Sequence, residues 1–409
     1  MREMVIKEAL QFDMLKRGIE LAKKIESYGY SAMLVGGCVR DLVRWTMNRC
    51  GEPSFHDVDI ATNMPMDELH KYFTCASNNG EAHGTILVQH DGVYFEVTQY
   101  RSDGAYEDGR HPSEVKWAET FEEDSRRRDF TMNALGLDTG CKVIDYHMGI
   151  DSIYVRTVAT VGDAADRFGE DALRILRACR FAARFDYRME PHMKQVANDM
   201  ADRLEKISME RIHDEFCKCA EYGVRPFCRM LDLLDGPIGK SICSDIDWCM
   251  AFTRFNRLQY SHWEVGYLFP LLLENIVQFR KFKCSTEDMA AFRFIQKYYP
   301  KYIAGTLDFV DMVDGMKTPY WEVFRAYIKS RMDGVAISRK HEEKMKAIGA
   351  LHPDEGDISQ LMLDNGWNPG PAFGVVRRAV RLAVLTEMYE GRTPDNAWVL
   401  DKLSAFTKV

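Results

Sequence analysis

Asp57 and Asp59, in "HDVDIAT", are the residues of this chain best suited to hold a metal ion. Spaced two apart on a segment that alternates as a strand does, they put both carboxylates on one face. Two like charges held that close repel unless a cation sits between them. Oxygen-only ligation favours Mg2+, above all where substrate phosphates complete the coordination shell. Glu96, on the expected strand "VYFEVTQYR", adds a third acid in the natural neighbouring position of the sheet. Three acids on adjacent strands make a two-metal arrangement for in-line phosphoryl transfer, one ion activating a hydroxyl and the other stabilising the leaving pyrophosphate. On its own a D-x-D is more often a solvated strand face, so the neighbouring motifs decide.

"LVGGCVRD" changes the balance. A glycine pair between strand and helix lets backbone N–H groups approach an anion at a helix N-terminus. Gly37 opens that helix and Arg40, one turn in, reaches a phosphate. Neither a P-loop nor a dinucleotide fingerprint is present, and the competing reading is a tight turn with packing glycines. In "RRRDFTMNAL", Arg128 is placed to hold a triphosphate or ribose oxygen, and Asp129 with Asn133 to serve a sugar hydroxyl or a helix cap. A surface ion cluster that merely caps a helix gives the same pattern.

"GEDALRILRACRFAARF", residues 169–185, reads as one largely apolar helix that nonetheless carries Asp171, Arg174, Arg177 and Arg180 at every third position. Burying an unpaired charge is costly, so these groups must face something polar. Neighbours at this spacing touch, though the row drifts around the axis. Asp171 and Arg174 can therefore act as one pair. An Asp accepts from an exocyclic amine while an Arg donates to the adjacent ring nitrogen, an edge that cytosine and adenine present and uracil and guanine reverse. A site that demands such hydrogen bonds can discriminate by about 10⁴. Arg177 and Arg180 would then meet phosphates or an RNA strand. The plain alternative is a helix ion pair with solvated arginines.

The elements that must position these groups divide the chain in two. Up to about residue 165 it is mixed α/β: "YSAMLVGG" and "FHDVDIAT" read as strands, "CVRDLVRWTM" as a helix, and "GTILVQHDGVYFEVTQYR" as a hairpin turning at His90-Asp91-Gly92. Beyond that point helical segments run to the C-terminus, among them "VVRRAVRLAVLTEMYEG", closed by Gly391 and Pro394. The chain has 409 residues, 46% hydrophobic and 28% charged, with a net charge of −8. That balance fits a soluble globular protein and argues against one that coats nucleic acid indiscriminately. The start is amphipathic and charged, with no apolar core of a secretory signal. The most apolar stretch, "YLFPLLLENIV", is too short to span a bilayer. Eleven cysteines without a C-x-x-C pair suggest buried thiols in a reducing cytoplasm rather than zinc or disulfides.

In order along residues 30–220, "LVGGCVRD…HDVDIAT", "RRRDFTMNAL", "VIDYHMGIDS", "GEDALRILRACRFAARF" and "MERIHDEF" resemble the class II nucleotidyltransferases, which comprise CCA-adding tRNA nucleotidyltransferases and bacterial poly(A) polymerases. The CCA-adding members are the more similar. The resemblance implies an α+β fold: a nucleotidyltransferase head with a small mixed β-sheet over residues 1–145, then an all-α neck (146–222), body (223–350) and tRNA-binding tail (351–409). It implies addition of C, C and A to the 3′ end of tRNA from CTP and ATP, with Mg2+ at Asp57 and Asp59 and Glu96 as the third acid. Gly37, Arg40 and Arg128 would contact the nucleotide, and Asp171 and Arg174 would read its base, with Arg177 and Arg180 beside them. An A-adding enzyme or poly(A) polymerase of the same family, and a catalytically silent RNA-binding protein, are the alternatives; the intact acid trio weighs against the last. "YRSDGAYEDGRHP" resembles the loop that the family links to switching from C to A. The segment from Asp41 to Asp57 is longer than usual, His111 stands where arginine is common, and "DYHMGIDS" lacks the usual glycine pair. No membrane and no obligate protein partner are expected.

Overall fold

A mixed β-sheet of short strands is the platform of the N-terminal region. In this computed structural model, residues 4–48, 53–76, 81, 84–103, 115–258, 268–331, 358–392 and 394–406 are described. The strands are β1 (Met4–Val5), β2 (Ala32–Val35), β3 (Asp59–Thr62), β4 (Cys75–Ala76), β5 (Thr85–His90) and β6 (Val93–Gln99). After a separate pair, β7 (Arg101–Asp103) and β8 (Val115–Trp117), come β9 (Gly136–Leu137) and β10 (Lys142–Ile144). The eight-stranded sheet has the order β1-β10-β9-β2-β3-β6-β5-β4. Its β3–β6 pair is parallel, which requires a crossover; helix α3 (Met66–Tyr72) and strands β4 and β5 supply it. Before these come α1 (Asp13–Glu26) and α2 (Gly37–Asn48). The stripe Leu15, Ile19, Ala22 and Ile25 buries α1 against the sheet. Ile86, Val88, Phe95 and Val97 give β5 and β6 their alternating buried face.

The His90-Asp91-Gly92 turn forms where expected, with Asp91 and Gly92 at φ 46° and 76°. One expectation fails in detail. The strand foreseen across "FHDVDIAT" begins only at Asp59, so Asp57 stands just before it. Asp59 pairs with Val35, the last residue of β2, and Gly36 then leaves the sheet at φ 76°, so that neighbour offers Asp57 no partner.

Helices dominate after the sheet: α4 (Phe121–Arg126), α5 (Gly149–Tyr154), α6 (Ala164–Glu170), α7 (Leu173–Phe185), α8 (Pro191–Asp199) and α9 (Met209–Ala220). Residues 169–185 are therefore two helices, not one. Asp171 is extended (φ −149°, ψ 105°), and its Oδ1 accepts from Leu173 N at 3.0 Å to start α7. A side chain that bonds the backbone locally competes with continuing the helix. Before α5, Met148 adopts the left-handed conformation (φ 62°, ψ 31°) that a glycine would take more cheaply. Gly149 is required for another reason, since a Cβ there would run into the Thr131 carbonyl.

The chain forms two compact units, Met1–Phe252 and Thr253–Val409. In the second, Ile358–Asp364, Pro371–Tyr389 and Asn396–Ser404 are helices that share a core around Met362, Trp367, Val380, Val384 and Leu403. Pro371–Tyr389 is the long helix expected before Gly391. Among the described residues no helix is long and apolar enough to cross a membrane. Most of "YRSDGAYEDGRHP", with His111, lies outside the described residues, as do residues 49–52 and 332–357.

Candidate active site

The acid face comes from two adjacent strands. Ile60 lies beside Val97 and Ala61 beside Thr98, and one step back along this register sets Asp59 beside Glu96. Glu96 and Asp57 are exposed, Asp59 half-buried. Burial, then the negative charge of Glu96, raises the Asp59 carboxyl to about 6 against the pull of Arg128, with Asp57 adding to the rise. Repelling carboxylates of this kind fit a hard cation with oxygen ligands. They form an open face. Among the described residues the one trio of metal-ligating atoms within 4.8 Å of one another is Glu20, His90 and Asp91, on α1 and the hairpin turn.

Opposite Asp59 is the glycine turn. A Cβ on Gly36, already at φ 76°, would lie 3.4 Å from Asp59 Oδ2 and 3.7 Å from Arg128 Nη1. Glycine here lets the backbone approach the acid and frees the first turn of α2. Arg40, only 5% exposed, is gripped by Asp41 through Nε and Nη2 at 2.9 Å each and donates from Nη1 to Asn133 Oδ1 at 2.8 Å. Arg128 donates to Asp124 Oδ2 from Nε (3.2 Å) and Nη2 (3.0 Å), and Arg127 takes the other oxygen. Burial alone would raise the Asp124 carboxyl, but Arg128 and Arg127 hold it below the ordinary value.

The arginine ladder of α7 faces protein carboxylates. Arg177 donates to Asp129 Oδ2 from Nε (2.9 Å) and Nη2 (2.6 Å). Asp129 Oδ1 accepts from Phe130 N at 2.8 Å and Asn133 Nδ2 at 3.1 Å. Against its burial, these bonds and the Arg177 charge keep Asp129 ionised, below its ordinary value. Arg180 is 5% exposed and pairs with Glu215 of α9 at 2.6 Å. Arg174 pairs with Glu170 and donates to the Arg167 carbonyl at 3.2 Å. Asp171 Oδ2 accepts from Arg211 of α9 at 2.7 Å. Asp171 and Arg174 are thus each braced by a separate partner. Each carboxylate oxygen still has a lone pair to offer, and Arg174 has N–H groups to spare.

Two cavities unite these residues. One, of about 340 Å³, is lined by Gly36, Gly37, Arg40, Asp59, Arg128, Asp129, Asn133, Arg177, Arg180, Phe181 and Arg184. The other, about 270 Å³, is lined by Arg127, Arg128, Asp129, Asp171, Leu173, Arg174, Arg177 and Arg211. They share Arg128, Asp129 and Arg177 as walls, so the Asp59 cavity adjoins the Asp171 cavity. Asp57 and Glu96, both exposed, line neither cavity. Glu170, Arg211 and Glu215 were not foreseen. "MERIHDEF" held a signal for two of them: Arg211 and Glu215, one turn apart, share a helix face.

The site thus joins a carboxylate face on a mixed sheet to an arginine-lined cavity beside a glycine turn. Residues 32–159 match the poly A polymerase head domain, and residues 186–230 match the probable RNA and SrmB-binding site of polymerase A. A CCA-adding enzyme of Lactobacillus johnsonii is 40% identical over 200 residues, which are 49% of this chain and about half (48%) of that protein. The CCA-adding enzyme of Streptococcus pyogenes serotype M3 is 30% identical over 405 residues, covering 92% of this chain and 93% of its own. The Bacillus stearothermophilus CCA-adding enzyme in complex with CTP has the same fold (TM-score 0.68, 24% identity, 98% of this chain and 99% of that one). So has the Thermotoga maritima CCA-adding enzyme complexed with tRNA (TM-score 0.71, 17% identity, 99% of each chain). The chain belongs to the CCA-adding enzyme family. Enzymes of this family work with a divalent metal, and the oxygen-only acid face fits one.

Proposed function

We propose that this chain adds C, C and A in sequence to the 3′ end of tRNA, using CTP and ATP and no nucleic-acid template. The observation that carries the reading is that the two cavities adjoin, with Arg128, Asp129 and Arg177 as common walls. On this reading one nucleoside triphosphate lies across them, with its phosphates near Asp59 and its base at Asp171 and Arg174. Asp57 and Asp59 would hold Mg2+, with Glu96 completing the acid face. Bound there, the metal supplies Lewis-acid activation of the terminal ribose 3′-OH and stabilises the departing pyrophosphate.

The chain's own groups do the positioning. The first turn of α2 after Gly36 and Gly37 offers backbone N–H groups to the phosphates, and Arg40, Arg128, Arg177 and Arg180 give that cavity its positive charge. Arg211 and Glu170 hold Asp171 and Arg174 so that one acceptor and one donor face the base. That polarity suits N4 and N3 of cytosine and N6 and N1 of adenine. Head (1–145), neck (146–222), body (223–350) and tail (351–409) are the proposed functional divisions, with the helix Pro371–Tyr389 near the tRNA elbow. Recognition rests on shape and backbone, since one activity must serve every tRNA. Its place is the cytoplasm.

The test offers the protein three transcripts: tRNA ending before CCA, tRNA ending after CC, and an unstructured RNA. Each receives the four nucleotides singly and in pairs. Extension that stops at CCA on the two tRNAs is expected. Long A tails on any RNA would make it a poly(A) polymerase, and no extension would make it a binding protein.

A further inference from the structure

Arginines crowd the glycine turn in greater number than the carboxylates that hold them. Two phenylalanines of α7 stand in the gap. Phe181 and Phe185, one turn apart, are stacked with centroids 6.1 Å apart and planes 3° from parallel. The Arg40 guanidinium lies 5.4 Å from the Phe181 centroid and 4.7 Å from that of Phe185. Arg180 approaches Phe181 to 4.4 Å and Arg177 to 5.6 Å. Arg184 and Arg44 approach Phe185 to 4.7 and 5.1 Å. Five cations therefore share two rings. Among the described residues their carboxylate partners are Asp41, Asp129 and Glu215. Arg44 Nε is buried with no hydrogen-bond acceptor among the described residues.

Burial alone does not explain the rings. They are 5% and 6% exposed, and leucine would fill such a site as well. Leucine lacks a negative π face to attract a guanidinium. Further carboxylates would hold the arginines but would cancel the charge that the cavity offers to a polyanion. A ring face holds a cation in place and leaves its charge uncancelled.

We propose that Phe181 and Phe185 are positioning residues for triphosphate binding. Their stacked faces act beside Asp41 and Glu215 to keep Arg40, Arg180 and Arg184 in place at the glycine turn, and they add no further negative charge. This rests on the reading that the cavity takes the triphosphate. It applies to every nucleotide alike and leaves base choice to Asp171 and Arg174.

The test compares Phe185→Leu, Phe185→Tyr and a series with mono-, di- and trifluorophenylalanine at position 185, which weakens the π face with little change of volume. CTP and ATP binding is measured on the RNA-free protein, alongside kcat, KM and thermal midpoint. Phe185→Leu should weaken both nucleotides about tenfold, and Phe185→Tyr should restore most of the loss. Kd should climb stepwise with each fluorine at a constant midpoint, with KM rising more than kcat falls and the preference for CTP over UTP unchanged. A flat Kd across the series would overturn the proposal. So would a loss in Phe185→Leu that tracks the thermal midpoint and is not restored by tyrosine. Wild-type protein that binds CTP but never extends tRNA would refute the proposed function and leave this inference standing; wild-type protein that binds no triphosphate would refute both.

Discussion

Replacing Asp171 by asparagine should turn the protein from CTP toward UTP. Asp171 Oδ2 holds Arg211 at 2.7 Å and Oδ1 accepts from Leu173 N at 3.0 Å. In Asp171→Asn the amide oxygen must stay with Arg211, because the charged donor makes the stronger bond. The new NH2 then takes the place of Oδ1. It donates where the carboxylate accepted, so it opposes the cytosine amine and suits uracil O4. CTP loses a hydrogen bond to a charged group, about 2 kcal/mol or thirtyfold in kcat/KM. UTP gains a neutral bond of about 1 kcal/mol, roughly fivefold. The CTP-to-UTP ratio should therefore fall by about 10². Losing the bond to Leu173 N weakens the start of α7 by about 1 kcal/mol, a shift of roughly 2–4 °C in a unit this large. The assay is single-nucleotide extension of a tRNA ending before CCA, with each of the four triphosphates titrated separately. If all four lose kcat/KM by one common factor, the edge-reading role of Asp171 is wrong.

Other outcomes follow from the same geometry. Asp59→Asn should cut extension by about 10³ or more, the scale of losing a group organised around the reacting atoms. Triphosphate binding in the arginine cavity should persist, as equilibrium titration would register. Glu215→Ala should cost about 3–5 kcal/mol in urea unfolding, because it strands the buried Arg180; the double variant Arg180→Met, Glu215→Leu should regain most of it. Asp124 and Asp129 have carboxyls held below their ordinary value in the folded state. Their contribution to stability is therefore present above the unfolded value near 4 and lost as pH falls through the folded ones. Thermal midpoints should drop below about pH 4, and Asp129→Asn should flatten part of that drop.

Much of the site was legible because its signals are local. The run from "AMLV" into two glycines marks a strand, a left-handed turn and a helix, and the structure has all three at Ala32–Val35, Gly36 and Gly37–Asn48. Alternation put Glu96 on its strand, and the polarity of neighbouring residues located the hairpin turn. The break at Asp171 was not legible: hydrophobic periodicity runs smoothly through residues 169–185, and only a side-chain bond to Leu173 N interrupts it. The partners of the ladder were hidden for a different reason. Glu215 and Arg211 reach Arg180 and Asp171 from a helix, over separations of 35 and 40 residues, and a helical pattern says which face is polar without saying what it meets. Met148 shows a third limit, since nothing in the local pattern marks a methionine for the left-handed conformation that it adopts before Gly149.

Selection of the nucleotide by protein side chains, before any RNA is present, is the claim on which the rest depends. Equilibrium binding of CTP, ATP, UTP and GTP to the RNA-free protein with Mg2+ addresses it directly. CTP and ATP should bind at least about tenfold more tightly than UTP and GTP, the effect of one mismatched polar pair. Equal affinity for all four would contradict the account.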